Sequence, residues 1–190
     1  MRSAGGYWLL FWLIIIVVGF LAWRVFGQGS MAVMPPEGAV MEKAIFGAGC
    51  FWGVEEAFRT LPGVVKTRAG YTGGTTEHPT YEQVCAGVTG HTEAVEVTYD
   101  PAHVTYDELL RVFWKAHDPT RHKKAQYKSV IFYSTREQQN TAEASKATLE
   151  TSGKYQWTVE TEILPAAPFW PAEEYHQQYY KKHGGGSCPI

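Results

Sequence analysis

Gly47-Ala48-Gly49-Cys50-Phe51-Trp52-Gly53 is the stretch in which the pattern of a strand gives way to the pattern of a helix. Before it, Lys43-Ala44-Ile45-Phe46 has the composition of a short strand. After it, apolar residues recur at i, i+3, i+4 and i+7, the spacing of an amphipathic helix: Val54, Ala57, Phe58 and Leu61. We therefore predict that Cys50 lies at a strand-to-helix turn, at the start of the helix.

This position favours a reactive role for Cys50. The backbone N–H groups and the dipole at a helix N-terminus stabilise negative charge, and the thiolate is the nucleophilic form of cysteine. The alternative is a buried structural cysteine, which is the commoner fate of a free thiol. The small residues around Cys50, Ala48 and Gly49 before it and Gly53 beyond the two aromatic residues, favour chemistry over packing.

The rest of the chain interleaves strand and helix patterns. Four segments have strand character: Gly63 to Tyr71, Glu93 to Tyr99, Val130 to Tyr133 and Thr158 to Leu164. Two capping boxes, Thr105 with Glu108 and Ser134 with Glu137, each predict a helix start. No dinucleotide or phosphate-loop glycine motif occurs. We expect an α+β fold, a two-layer sandwich with a central mixed sheet and a ferredoxin-like core.

Composition excludes several classes of function. The 190 residues include 17 basic and 19 acidic side chains, a net charge of −2 that gives no electrostatic reason to expect nucleic acid binding. Cys50, Cys85 and Cys188 are too far apart for a zinc ribbon or a C-x-x-C pair, and no H-E-x-x-H motif is present. We expect no metal and no bound cofactor.

The head of the chain predicts a membrane segment. Tyr7 to Trp23 is a run of seventeen residues without a charge, and a helix of about 17–25 apolar residues crosses a bilayer. We divide the chain into an anchor or signal sequence (1–26), a linker (27–40), a catalytic domain (41–183) and a flexible tail (184–190). We favour an uncleaved anchor with the domain outside the cytoplasm. The alternatives are a cleaved signal peptide and a secreted or periplasmic protein, or translation from Met31 or Met34 and a cytoplasmic one.

Glu93 is a candidate acid. It has the same parity as Val95, Val97 and Tyr99 along its strand, so its carboxyl group is predicted to face the apolar side. Desolvation there would raise its pKa and allow it to donate a proton near neutral pH. The alternative is a strand-end glutamate that turns into solvent.

Five other side chains are ambiguous from their local sequence alone. Tyr81 and Tyr127 lie in polar loops, where an ordinary half-buried tyrosine is the commoner case, and His176 is best explained by packing or capping. Cys85 has apolar neighbours and is predicted to be an inert core thiol. Cys188, flanked by a glycine-rich tail, is either incidental or a second thiol that resolves an oxidised Cys50.

An ordered set of motifs resembles the A-class peptide methionine sulfoxide reductases from about Lys43 to the end. The matching segments are Gly47–Gly53, Gly70-Tyr71-Thr72-Gly73-Gly74, Pro79-Thr80-Tyr81-Glu82, Gly90-His91-Thr92-Glu93-Ala94, Gln126-Tyr127-Lys128-Ser129, Phe169–Gln177 and Ser187-Cys188-Pro189. One such motif alone would be weak, whereas the full set in this order is highly specific.

The resemblance implies reduction of methionine S-sulfoxide, free or in proteins, and repair of oxidised proteins. Cys50 would attack the sulfoxide sulfur, and Glu93 would protonate the oxygen. It further implies these binding and resolving roles: Phe51 and Trp52 hold the S-methyl group, Tyr81 and Tyr127 bind the oxygen, and Cys188 closes a disulfide with Cys50. A thioredoxin-like protein, or dithiothreitol, would act as external reductant, and we expect a monomer.

Two features depart from the family pattern. The loop Arg121 to Ala125 is short and basic, with His122 where the family carries an aspartate that orders the oxygen site. The predicted membrane span is the second departure. Two competing hypotheses are therefore a tethered sulfoxide-binding module without turnover and a general thiol peroxidase. Only a reductase would consume a sulfoxide with dithiothreitol.

Overall fold

The computed structural model describes residues 40–121 and 123–184, and a six-stranded sheet organises them. The strands are β1 (Glu42–Ala48), β2 (Val64–Thr72), β3 (Thr92–Tyr99), β4 (Ser129–Tyr133), β5 (Glu162–Pro165) and β6 (Trp170–Pro171). The helices are α1 (Phe51–Arg59), α2 (Tyr81–Cys85), α3 (Tyr106–Ala116), α4 (Arg136–Thr151) and α5 (Tyr179–His183), with 3₁₀ turns at Ala125–Tyr127 and Glu174–His176. The predicted mixture of helices around a central mixed sheet is confirmed.

Strand order places three chain segments side by side. The order is β5-β4-β1-β3-β2-β6; β4 and β5 are parallel and the other pairs are antiparallel. Phe46 of β1 pairs with Val95 of β3, and Ala48 pairs with Ser129 of β4. The end of β1 therefore lies between the beginnings of β3 and β4. The residues that follow β1 and those that precede β4 meet at this edge of the sheet.

Aromatic rings fill the core between the sheet and helices α1 and α3. Phe46 stacks on Phe58 with ring centroids 4.9 Å apart, and its centroid lies 5.4 Å from that of Phe113. All three rings are buried. Full burial of such a side chain contributes about 1.5–3 kcal/mol, so these contacts hold α1, and with it Cys50, against the strands.

Several local predictions need correction. The fourth helix begins after Thr135, whose hydroxyl accepts from the amide of Gln138, so the capping residue is not Ser134. Within Thr158 to Leu164, only Glu162 onward is a strand. The strand predicted at Glu93 to Tyr99, whose alternating pattern implies one apolar side, is in fact buried on both faces except at Thr98, because β3 lies inside the sheet.

Cys85 is not the inert core thiol that its apolar neighbours predict. Cys85 is a free, exposed cysteine and the last residue of helix α2. This helix has only five residues, and of these only Val84 is buried. One turn of helix directs a single side chain to the core, so the apolar neighbours of Cys85 do not imply that it is buried.

The segment after β6 is attached to β2 by a glutamine side chain. The Gln177 carboxamide accepts from the Ala69 amide at 3.0 Å and donates to the Ala69 carbonyl at 2.9 Å. It also donates to the carbonyl of Ala172. One residue further, the Gln178 amide donates to the buried carboxylate of Glu55 at 2.6 Å. The C-terminal segment is therefore fixed against both the sheet and helix α1.

The predicted anchor and most of the predicted linker and tail lie outside the described residues, as do His122 and Cys188. Within residues 40–121 and 123–184, no helix combines the length and apolar character needed to cross a bilayer.

Gly70 and Gly53 form a matched pair for testing the attachment of the C-terminal segment. A Cβ on Gly70 would lie 2.4 Å from the carbonyl oxygen of Trp170, whereas one on Gly53 would find only Tyr180 at 3.8 Å. Gly70→Ala should lower the free energy of unfolding by about 1–3 kcal/mol through overpacking. Gly53→Ala, inside α1, should raise it by up to about 1 kcal/mol. Urea unfolding measures both, and equal effects of the two substitutions would contradict the close β2–β6 contact.

Candidate active site

Cys50 and Glu93 meet at the N-terminus of helix α1. Gly49, with φ of +92°, makes the turn from β1 in the left-handed region that favours glycine, and Cys50 follows as the N-cap. The Phe51 amide, the first of the helix, donates to Glu93 Oε2 at 3.1 Å. The carboxyl group of β3 therefore binds the helix end that carries Cys50.

Glu93 has the environment of a proton donor. It is 1% exposed, and burial raises its pKa to about 7 against the opposing hydrogen bonds from the Phe51 amide and the Gln126 side chain. Desolvation disfavours the charged form, and the two hydrogen bonds only partly compensate. The group is therefore divided between acid and carboxylate near neutral pH, the range in which a general acid is most effective.

Tyr81 and Tyr127 lie close to Glu93, although they come from separate elements. Tyr81 opens helix α2, and Tyr127 ends the 3₁₀ turn before β4. A hydrogen bond to Cys85, then burial, raises the pKa of Tyr81. Burial and the nearby charge of Glu93 raise the pKa of Tyr127. Both hydroxyls therefore stay protonated and can donate to an oxygen atom beside Glu93.

Gln126 joins these groups. Its side chain is buried, hydrogen-bonds Glu93 and Tyr127, and donates from Nε2 to the sulfur of Cys85 at 3.6 Å. The sequence motif around Tyr127 contained Gln126, but no local pattern separates it from an ordinary loop glutamine. Its role follows only from the position of the 3₁₀ turn beside β3.

Aromatic side chains form a wall next to this polar group. Phe51 is buried and Trp52 is half-buried on the first turn of α1. The ring centroid of His176 lies 4.9 Å from that of Phe51 and 4.6 Å from that of Tyr81. Trp52 stacks on Tyr179, with centroids 3.8 Å apart. An apolar surface therefore lies next to hydroxyl and carboxyl hydrogen-bond donors. Such a site suits a ligand whose small alkyl group packs on the rings while its polar oxygen accepts from the donors.

Glu173 positions Tyr81 from the C-terminal segment. Its Oε1 accepts from the Tyr81 amide at 2.9 Å, and its Oε2 accepts from the Tyr71 hydroxyl at 2.8 Å. The carboxylate thus stabilises the N-terminus of helix α2 and ties it to β2. Sequence reasoning missed Glu173, Gln126 and the position of Cys85. For Glu173, a carboxyl group in a tyrosine-rich segment was the only signal.

The structure brings together six of the seven predicted site residues: Cys50, Phe51, Trp52, Tyr81, Glu93 and Tyr127. Cys188 lies outside the described residues. Cys50 is disulfide-bonded, and Cys85 is a free thiol. Across residues 40–121 and 123–184, no group of three or more His, Cys, Asp or Glu side chains could hold a metal ion. The arrangement suits thiol chemistry assisted by an internal acid.

Comparison with known proteins agrees with this chemistry. The family described as "Peptide methionine sulfoxide reductase" matches residues 42–190. The peptide methionine sulfoxide reductase MsrA of Geobacter sulfurreducens is 58% identical over 158 residues, which cover 80% of this chain and 98% of that protein. Methionine sulfoxide reductase A of Corynebacterium diphtheriae matches with a TM-score of 0.68 and 38% identity over 85% of this chain and 82% of that one. Reduced Mxr1 of Saccharomyces cerevisiae matches with a TM-score of 0.73 and 30% identity, over 83% of this chain and 94% of that one.

A buried acid at a cysteine-capped helix start, tyrosine hydroxyls beside it and a match over residues 42–190 lead to one assignment. The chain belongs to the A class of the peptide methionine sulfoxide reductases, thiol-dependent enzymes that reduce methionine S-sulfoxide to methionine.

Proposed function

We propose that Cys50 is the nucleophile and Glu93 the general acid of this reductase. The observation that carries the proposal is the hydrogen bond from the Phe51 amide to Glu93 Oε2 at 3.1 Å. It places an acid with a pKa of about 7 directly beside the helix turn that bears the thiol. A substrate whose sulfur contacts Cys50 then has its oxygen within reach of Glu93.

In the first step, the Cys50 thiolate attacks the sulfoxide sulfur while Glu93 donates a proton to the oxygen. Tyr81 and Tyr127 donate hydrogen bonds to the same oxygen and stabilise the charge that develops on it. The S–O bond of the substrate then breaks, the protonated oxygen passes to Cys50 Sγ, and the Sγ–S bond formed in the attack is cleaved, so that the substrate sulfur gains two electrons and methionine is released. Cys50 loses two electrons and becomes a sulfenic acid that retains the oxygen. Phe51 and Trp52 hold the S-methyl group against the apolar wall during this transfer.

In the second step, Cys188 attacks the sulfenic acid, a disulfide forms and water leaves. Two observations support Cys188 over Cys85. Cys50 is disulfide-bonded while Cys85 is a free thiol. In the sequence, Cys188 also stands in the motif Ser187-Cys188-Pro189 that the family resemblance pairs with Cys50.

Thiol–disulfide exchange with a thioredoxin-type protein would then regenerate both cysteines, with dithiothreitol as an artificial substitute. Yeast Mxr1 has been solved in complex with Trx2, and that chain shares this fold at 22% identity with a TM-score of 0.55. The proposed cycle needs no bound cofactor, and we propose that the enzyme acts as a monomer. The substrates are methionine sulfoxide in proteins and as the free amino acid.

We also propose that the core of the domain is ferredoxin-like. Strands β1, β2, β3 and β4 stand in the order β4-β1-β3-β2, with α1 between β1 and β2 and α3 between β3 and β4. This is the β-α-β-β-α-β connectivity of that arrangement, with α2 added between β2 and β3.

The N-terminal segment is proposed as a single-pass anchor that leaves the reductase domain outside the cytoplasm. The support is the uncharged run from Tyr7 to Trp23 and the start of the family match at residue 42, beyond that run. A reductase held at a membrane surface would act on oxidised proteins in that compartment.

Glu93→Gln tests the acid. Loss of a positioned proton donor should slow single-turnover reduction of methionine S-sulfoxide by about 10²–10⁴-fold. Because only protonated Glu93 can donate, kcat/KM of the parent enzyme should fall as pH rises through about 7, and this fall should be absent from the variant. Cys50→Ser supplies the background rate. A loss below about threefold that does not change with pH would remove Glu93 from the mechanism.

Cys188→Ser separates the two half-reactions, with Cys85→Ser as the matched control. A burst of about one methionine per enzyme should survive in Cys188→Ser, since formation of the sulfenic acid needs no second thiol. Steady turnover with thioredoxin should collapse, and dithiothreitol should restore part of it. Cys85→Ser should still cycle with thioredoxin. The reverse result for the two variants would assign the resolving role to Cys85.

Membrane fractionation tests the anchor. The full chain should remain in the pellet after an alkaline carbonate wash, and a chain begun at Met34 should appear in the supernatant. Protease added outside intact cells should digest the full-length domain if it faces outward. Recovery of the full chain in the soluble fraction at its encoded mass would contradict an uncleaved anchor, whereas recovery without residues 1–26 would indicate a cleaved signal sequence.

A further inference from the structure

The indole of Trp52 is hydrogen-bonded to a histidine from the other end of the domain. Trp52 Nε1 donates to His176 Nδ1 at 3.0 Å, across 124 positions of sequence. His176 is 1% exposed and lies in the 3₁₀ turn Glu174–His176. A half-buried residue of the aromatic wall is therefore held by a buried polar partner.

This hydrogen bond determines the protonation state of the imidazole. Nδ1 can accept from Trp52 only if it carries no proton, so the ring is neutral with its proton on Nε2. Burial, the leading cause, lowers the pKa of His176 and favours the same neutral form. Nε2 is buried and has no hydrogen-bond partner among the residues that the structure describes.

An imidazole at this position needs an explanation other than packing. A phenylalanine could fill aromatic surroundings of this kind without leaving a buried N–H unpaired, which costs stability. The one hydrogen bond that the ring makes within the described residues goes to Trp52. Histidine therefore differs from an apolar ring at this position in one respect: it can accept a hydrogen bond from the indole N–H of Trp52.

The surrounding rings make His176 a rigid acceptor. Its ring centroid lies 4.9 Å from that of Phe51, 4.6 Å from that of Tyr81 and 4.1 Å from that of Tyr175. Such packing limits rotation of the imidazole, so Nδ1 stays aimed at one point. Tyr179 stacks on the indole, and the two contacts together define both the plane and the rotation of Trp52.

We propose that His176 is a positioning residue that fixes the indole of Trp52 and so maintains the surface on which the S-methyl group rests. The inference rests on the proposed role of Trp52 in substrate binding. Without the acceptor, the indole loses its preferred orientation. The sulfoxide then binds more weakly and its sulfur is placed less accurately against Cys50.

His176→Phe and His176→Asn form the critical pair. Phenylalanine keeps the ring but removes the acceptor, whereas Asn Oδ1 can restore an acceptor near the place of Nδ1. With methionine S-sulfoxide, His176→Phe should lower kcat/KM about tenfold or more, mainly through KM. His176→Asn should recover most of that loss. Urea unfolding of each variant separates this effect from instability, and His176→Leu replaces the phenylalanine variant if that one does not fold.

A double-mutant cycle gives the decisive readout. In a Trp52→Phe background no indole N–H remains, so His176→Phe should cause no further loss of kcat/KM. Equal losses in both backgrounds would show a structural role only and overturn the inference. If Trp52→Phe lowers kcat/KM but His176→Phe leaves it unchanged, the inference fails and the role of Trp52 stands. If Trp52→Phe does not change kcat/KM, both the role of Trp52 in substrate binding and the inference about His176 are wrong.

Discussion

Two opposed electrostatic effects act on the carboxyl group of Glu93, which accepts a hydrogen bond from the Phe51 amide. A helix N-terminus stabilises negative charge, and a buried carboxyl group avoids it. Burial raises the pKa of Glu93 and the amide hydrogen bond lowers it, and the resulting pKa is about 7. More exposure would leave a permanent carboxylate, and loss of the amide donor would favour a permanently protonated acid. The chemistry therefore depends on how closely β3 approaches the start of α1.

That approach is a consequence of strand order. Because β1 lies between β3 and β4, the end of β1 has Glu93 on one side and the turn containing Gln126 and Tyr127 on the other. The aromatic contacts between α1 and β1, such as the stacking of Phe58 on Phe46, hold the helix in a fixed position on the sheet. No single element contains the site, because its groups come from the start of α1, from β3, from α2 and from the turn before β4.

Local patterns were sufficient where a single segment determines the structure. The apolar stripe after Cys50 predicted α1, and the pair Thr105 with Glu108 predicted the capping box that starts α3. Strand parity placed the carboxyl group of Glu93 on the inside, although β3 is buried on both faces and either parity would have hidden it. That prediction therefore succeeded for a weaker reason than its argument assumed.

Contacts between distant segments were not predictable in this way. Gln177 pairs with the backbone of Ala69, Glu173 supports Tyr81, and His176 accepts from Trp52. These hydrogen bonds join groups that lie about 90 to 125 positions apart in the sequence. The apolar periodicities of helices and strands describe only neighbouring residues, so they carry no information about contacts over such distances. Cys85 illustrates the same limit on a smaller scale, since its exposure depends on the length of a one-turn helix.

The attachment of the C-terminal segment also sets an order of events during synthesis. Cys50 and Glu93 leave the ribosome about 80 to 130 residues before Glu173, His176 and Tyr179, which complete the walls around them. A nascent chain thus carries the thiol and the acid well before it has a shaped pocket. A product truncated before Glu173 would therefore carry the cysteine and the acid without the surface that directs a sulfoxide to them.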